Sequence, residues 1–207
     1  MDFPVFAVGS AALAVATMAA TLILSERRWL AVAAGFVGAT VLLLFHGPVY
    51  FDFYHDDAYI TLRYSRHLAD GLGPNWNSDD RVEGYTTFLW MATLGGIGKL
   101  GFDLVDASRV LEFFAILGTF AAVFSIWKLW SDEDPESGVA SPVIPVAVFL
   151  GLALTDGVAF WGFSGMETPL FMALLTGGAY FYLRERRGGL VPWSALTLAA
   201  AAMTRPE

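Results

Sequence analysis

The feature that most limits what this chain can become is its alternation of long apolar runs with short arginine hinges. Apolar runs occupy residues 4–24 and 30–49, separated by Ser25-Glu26-Arg27-Arg28. Others lie at 107–130, 142–161, 168–183 and 190–204, with Arg184-Glu185-Arg186-Arg187 between the last two. A run of about 20 apolar residues matches the hydrocarbon core of a bilayer. Within that core every backbone polar group must find its partner inside the protein. The expected fold class is therefore all-α: a polytopic transmembrane helical bundle of about six spans. Met1-Asp2-Phe3 supplies no positive segment for a cleaved leader, so 4–24 is read as a span.

Charge excludes several function classes. The formal charge is −8, and the acids are local, falling in 52–83 and in Asp132-Glu133-Asp134-Pro135-Glu136. A basic footprint for nucleic acid is absent. The chain has no cysteine, so neither a disulfide framework nor a thiolate site can form. Thr204-Arg205-Pro206-Glu207 follows directly on an apolar run, and the chain is expected to be the N-terminal part of a longer protein.

Arginine placement orients the spans. The positive-inside rule puts Arg27 and Arg28 in the cytoplasm, so the span 30–49 delivers the following loop to the outer face. The Arg184–Arg187 hinge also belongs inside. Four spans between the hinges achieve that, whereas a fifth crossing at 85–100 would not. The run 85–100 is thus expected as an interfacial helix, alongside one at about 57–69, both within an outer loop 50–106. Three segments should meet outside: this loop, the turn at 162–169, and Arg205-Pro206-Glu207.

The loop contains the most unusual stretch, His55-Asp56-Asp57-Ala58-Tyr59-Ile60-Thr61-Leu62-Arg63-Tyr64. Ile60, Tyr64 and Leu68 would share an apolar stripe on a helix that Gly71 ends. Asp56 and Asp57 suit helix capping and the helix dipole. They equally suit a general base, because a carboxylate beside low-dielectric lipid becomes more basic. Arg63 and Arg66 read either as a solvated face pairing Asp56 and Asp70, or as bidentate phosphate donors. Seven residues of helix separate Asp56 from Arg63, roughly 10 Å of rise. His55 beside two carboxylates suggests a divalent metal at His55, Asp56 and Asp57. Glu83 and Glu167 each precede an apolar helix, as caps or as ligands for sugar hydroxyls. Arg205 lies outside against the charge trend and calls for a partner such as a phosphate. Trp76 and Tyr85 read as interface belt or as sugar platform.

Several motifs occur together: Asp56-Asp57-Ala58-Tyr59-Ile60-Thr61-Leu62-Arg63-Tyr64, Asp70-Gly71-Leu72-Gly73, Trp76-Asn77, Arg81-Val82-Glu83-Gly84-Tyr85-Thr86-Thr87-Phe88-Leu89-Trp90, Ser164-Gly165-Met166-Glu167-Thr168-Pro169 and Thr204-Arg205-Pro206-Glu207. The ensemble resembles the GT-C superfamily of integral-membrane glycosyltransferases. The nearest resemblance is to the branch that includes the actinobacterial terminal arabinofuranosyltransferases. That resemblance implies a polyprenyl-phosphate sugar donor (arabinofuranose among the candidates). It also implies a glycan or other hydroxyl acceptor, an extracytoplasmic site at a plasma membrane, and a catalytic acid pair matching Asp56 and Asp57. One span more than the usual number precedes the first loop. Two rival functions stand beside this one. A transporter or flippase of lipid-linked sugars would need charges inside spans or broken helices, whereas the charges here are read as lying at span ends and in loops. A non-catalytic membrane assembly subunit would bind donor without transferring it.

Overall fold

A computed structural model describes residues 3–77, 82–189 and 191–206. Part of the turn 75–80, Arg81 of the fourth motif, the first residue of the run 190–204, and Glu207 lie outside the described residues. Among the described residues the chain is helical, without strands. Three stretches are long and apolar enough to cross a membrane: Val5–Ile23, Arg28–Tyr50 and Leu104–Glu133.

Helix α1 (Phe3–Ile23) turns through Leu24–Arg27 into α2 (Arg28–His46), and the two pack together. The central helix α5 (Leu104–Glu133) starts at Asp103, whose Oδ1 accepts from the backbone amides of Val105 and Asp106. Helix α6 (Val143–Leu154) packs on α2. The contact is close: a Cβ on Gly35 would fall among the Val146 methyl groups, so only a glycine lets the two backbones approach this far. Ala39, Leu42, Leu43, Ile116, Phe120, Val146 and Phe149 form the core between α2, α5 and α6.

The run 142–161 differs from the single span expected. It is α6 followed by a separate short helix α7 (Asp156–Trp161). The break is chemical. Thr155 is extended (ψ 118°), its hydroxyl donates to the Gly151 carbonyl at 2.7 Å, and Asp156 opens the next helix. Twelve residues of α6 rise only about 18 Å. His46, at the end of α2, sits at this break: its Nδ1 lies 3.0 Å from the Ala153 carbonyl and its Nε2 3.3 Å from Asp156. It is a buried joint rather than an interfacial residue.

Two shorter helices, α3 (Asp56–Ala69) and α4 (Phe88–Lys99), pack against each other between α2 and α5 in chain order. Leu62, Trp90, Leu94 and Leu104 form a second, smaller core where they meet α5. The buried face of α3 is Ala58, Thr61, Leu62, Tyr64 and Ser65. Ile60 is 38% exposed, so the apolar stripe proposed from spacing is corrected. Helix α8 (Thr168–Glu185) packs on α5 and on α9 (Trp193–Thr204), which also meets α4.

Candidate active site

The N-cap position of α3 is His55, and the Asp57 backbone amide is shared: it donates to His55 Nδ1 at 3.2 Å and to Asp56 Oδ1 at 3.1 Å. Asp56 and Asp57 occupy the first turn. Their environments differ. The Asp56 side chain is 96% exposed. Asp57 is 65% exposed and lines a cleft of about 260 Å³.

That cleft collects residues from distant parts of the chain. Its walls include Asp57, Ile60, Tyr85, Glu167 and Arg205. Glu167 stands at the N-cap position of α8 but makes no side-chain cap bond there. Its carboxylate is 4% exposed and lies 3.9 Å from Arg205 Nε, just past the end of α9. The Tyr85 ring meets Tyr64 edge-on at 5.0 Å, and Tyr64 in turn donates to the Val82 carbonyl at 2.9 Å. Burial, with Glu83 and Tyr64 nearby, raises the Tyr85 pKa, so its hydroxyl stays a donor at neutral pH. Glu83 is exposed, well before Phe88 opens α4, and lines an adjoining cavity rather than the Asp57 cleft.

The other expected residues are placed elsewhere. Arg63 Nε donates to the Trp76 carbonyl at 2.7 Å and Nη2 to Asn77 Oδ1 at 3.0 Å. Its guanidinium covers the Trp76 ring at 4.5 Å. Arg63 and Trp76 therefore latch the connector after α3 and do not face the cleft. Arg66 is exposed on α3, also away from the cleft walls.

His55, Asp56 and Asp57 offer ligand atoms within 4.8 Å of one another, and Nδ1 lies 3.2 Å from an Asp56 oxygen. Such spacing fits two or three ligands of one divalent ion. The Nδ1 lone pair also accepts from the Asp57 amide, so an ion bound there would leave that amide to Asp56 Oδ1 alone.

Beneath the cleft lies a buried layer that sequence reading passed over. Arg109 donates to the carbonyls of Phe51 at 2.7 Å and Phe163 at 3.3 Å. Ser108 donates to the Val105 carbonyl, so its single proton is spent and Tyr54 must donate in their 2.9 Å contact. Burial pushes the Tyr54 pKa up to about 12. Glu112, 0% exposed, sits on the same face of α5, which corrects the placing of charges only at span ends and in loops. The sequence carried the signal: an acid inside an apolar run.

No protein-family model matches the chain, and no curated protein or solved structure compared with it matches.

Proposed function

We propose that this chain forms part of a membrane-embedded glycosyltransferase that takes a sugar from a polyprenyl phosphate. The observation that carries this reading is the cleft in which a carboxylate from the first loop, Asp57, faces a guanidinium from the end of α9, Arg205. In this reading the helices form a polytopic bundle of about six spans in the plasma membrane, with the cleft on the extracytoplasmic side.

The chemistry follows from the two groups. The Asp57 carboxylate removes the proton from an acceptor hydroxyl, whose oxygen attacks the anomeric carbon of the donor. The bond from that carbon to the phosphate oxygen breaks, and the electron pair leaves with the polyprenyl phosphate. Arg205 meets that anion with a planar set of donors, and Glu167 holds the guanidinium in place. Tyr85 supplies a ring and a protonated hydroxyl for a sugar. A divalent ion held by His55, Asp56 and Asp57 would add electrostatic stabilisation at the same edge.

The test is a transfer assay on the complete gene product in membranes, with labelled polyprenyl-phosphate sugars supplied singly. Asp57→Asn should lose at least about 100-fold in rate, within the range general bases contribute. Asp56→Asn should keep more than a tenth of the activity. Full transfer by both variants would sink the mechanism, and loss on chelation would add the ion.

A second reading is favoured by two observations. The break at Thr155 and the buried Glu112 are the features a transporter or flippase of lipid-linked sugars would need. Lipid movement across vesicles without sugar transfer would select it. Donor uptake with neither movement nor transfer would indicate an assembly subunit.

A further inference from the structure

Glu112 is a costly group to leave as it stands. It is fully buried, and neither carboxylate oxygen makes a hydrogen bond of ordinary geometry among the described residues. A buried carboxylate without partners is strongly unfavourable, and such a group calls for an explanation. The groups acting on it are the backbone amides of Gly165 and Met166, the Arg109 guanidinium and the Glu167 carboxylate. Those two amides donate to no backbone carbonyl among the described residues.

The turn is shaped to receive an acceptor oxygen. Gly165 has φ +88°, and successive amides around a left-handed residue point into one concavity. The turn is held from two further sides. Trp90 Nε1 donates to the Gly165 carbonyl at 3.1 Å, and the Tyr54 ring packs where a Gly165 side chain would be. Glu112 supplies the remaining side, from below.

We propose that Glu112 is a positioning residue, the internal hydrogen-bond acceptor around which the Gly165–Met166 amides are folded. Through that turn it fixes Glu167, and with it Arg205, at the cleft wall. What the turn serves rests on the glycosyltransferase reading; the clamp itself does not.

Hydrogen exchange of the complete protein in detergent separates the two. In wild type the Gly165 and Met166 amides should exchange at least about 100-fold more slowly than that of Phe102, which is exposed and also lacks a backbone acceptor. Exchange as fast as Phe102 overturns the clamp without any variant. Glu112→Met keeps the volume and removes the acceptor, and should speed exchange at 165–166 at least tenfold while α5 stays protected. Glu112→Gln keeps an acceptor oxygen and should stay within threefold of wild type. Unchanged exchange in E112M overturns the proposal, as does a rise spread equally along α5, which marks a packing residue. In the transfer assay E112M should raise the donor KM about tenfold with a smaller change in kcat. If wild type transfers no sugar, the exchange results still decide Glu112, and the glycosyltransferase reading alone falls.

Discussion

The backbone amide of His55 donates to the carbonyl of Ser164 across 2.9 Å. This one bond ties the residue that caps α3 to the turn that precedes α8, although more than half the chain lies between them. Trp90 holds the next peptide of that turn through its indole. The aspartate of the first loop and the glutamate of the second therefore share one frame, and disturbing the turn should be felt at both.

Gly165→Ala tests that frame. The position has φ +88°, and an added Cβ would collide with the Tyr54 ring. Left-handed backbone costs an alanine about 1–2 kcal/mol before any clash. The variant should unfold several degrees below wild type in detergent and lose transfer. A melting point and activity equal to wild type would remove the turn from the site.

Arg63→Ala should loosen the connector and leave the donor alone. The side chain spends its donors on Trp76 and Asn77. Chymotryptic cleavage after Trp76 should accelerate at least fivefold, with the donor KM within twofold of wild type. A large rise in donor KM with unchanged cleavage would restore Arg63 as a phosphate ligand.

Tyr54 sets an alkaline limit. Its folded pKa is about 12 against an ordinary 10.0 because burial disfavours the phenolate. A raised pKa contributes stability that is complete below pH 10 and is lost as pH climbs through 12. Tyr54→Phe should be less stable at neutral pH, having lost the bond to Ser108, and should decline less steeply between these values. Thermal melts across that range check it.

Glu185 sets an acid limit at the other end of the molecule. Its carboxylate accepts from the Ser194 hydroxyl and from the Ser194 amide, the latter at 2.7 Å, and these bonds lower its pKa. Stability from a lowered carboxyl pKa is present above the ordinary value of 4.5 and disappears as pH falls through the folded value. Ser194→Ala should melt earlier at pH 6 and lose less on acidification than wild type. Parallel acid profiles for the two proteins would exclude the contact.

Much of this was readable from residues. Apolar length marked the helices, Gly71 ended α3 as expected, and the turn at 162–169 did come to lie against the loop 50–106. What escaped was decided by contacts that spacing does not encode. Helical periodicity put Arg63 with Asp56, but Trp76 and Asn77 captured its guanidinium. Ile60 counted as apolar and turned out to line the cleft, because the face of α3 held against α4 is the one that carries Ser65, whose hydroxyl reaches the Met91 carbonyl. Thr155-Asp156-Gly157 was a visible interruption in 142–161, overridden by counting apolar length.

The length of α5 has a consequence for the height of the cleft. Thirty residues rise about 45 Å, while the oily part of a bilayer is about 30 Å deep. If α5 stands upright, about 15 Å of it is left over, and near its start Ser108 and Arg109 hold the loop and the turn. The helix then acts as a mast. It sets the height of the cleft, with Asp57 and Arg205 in its walls, relative to the apolar middle of the helix. Deleting one turn from its apolar middle would lower the cleft by about 5 Å toward the lipid without altering a single residue in its walls.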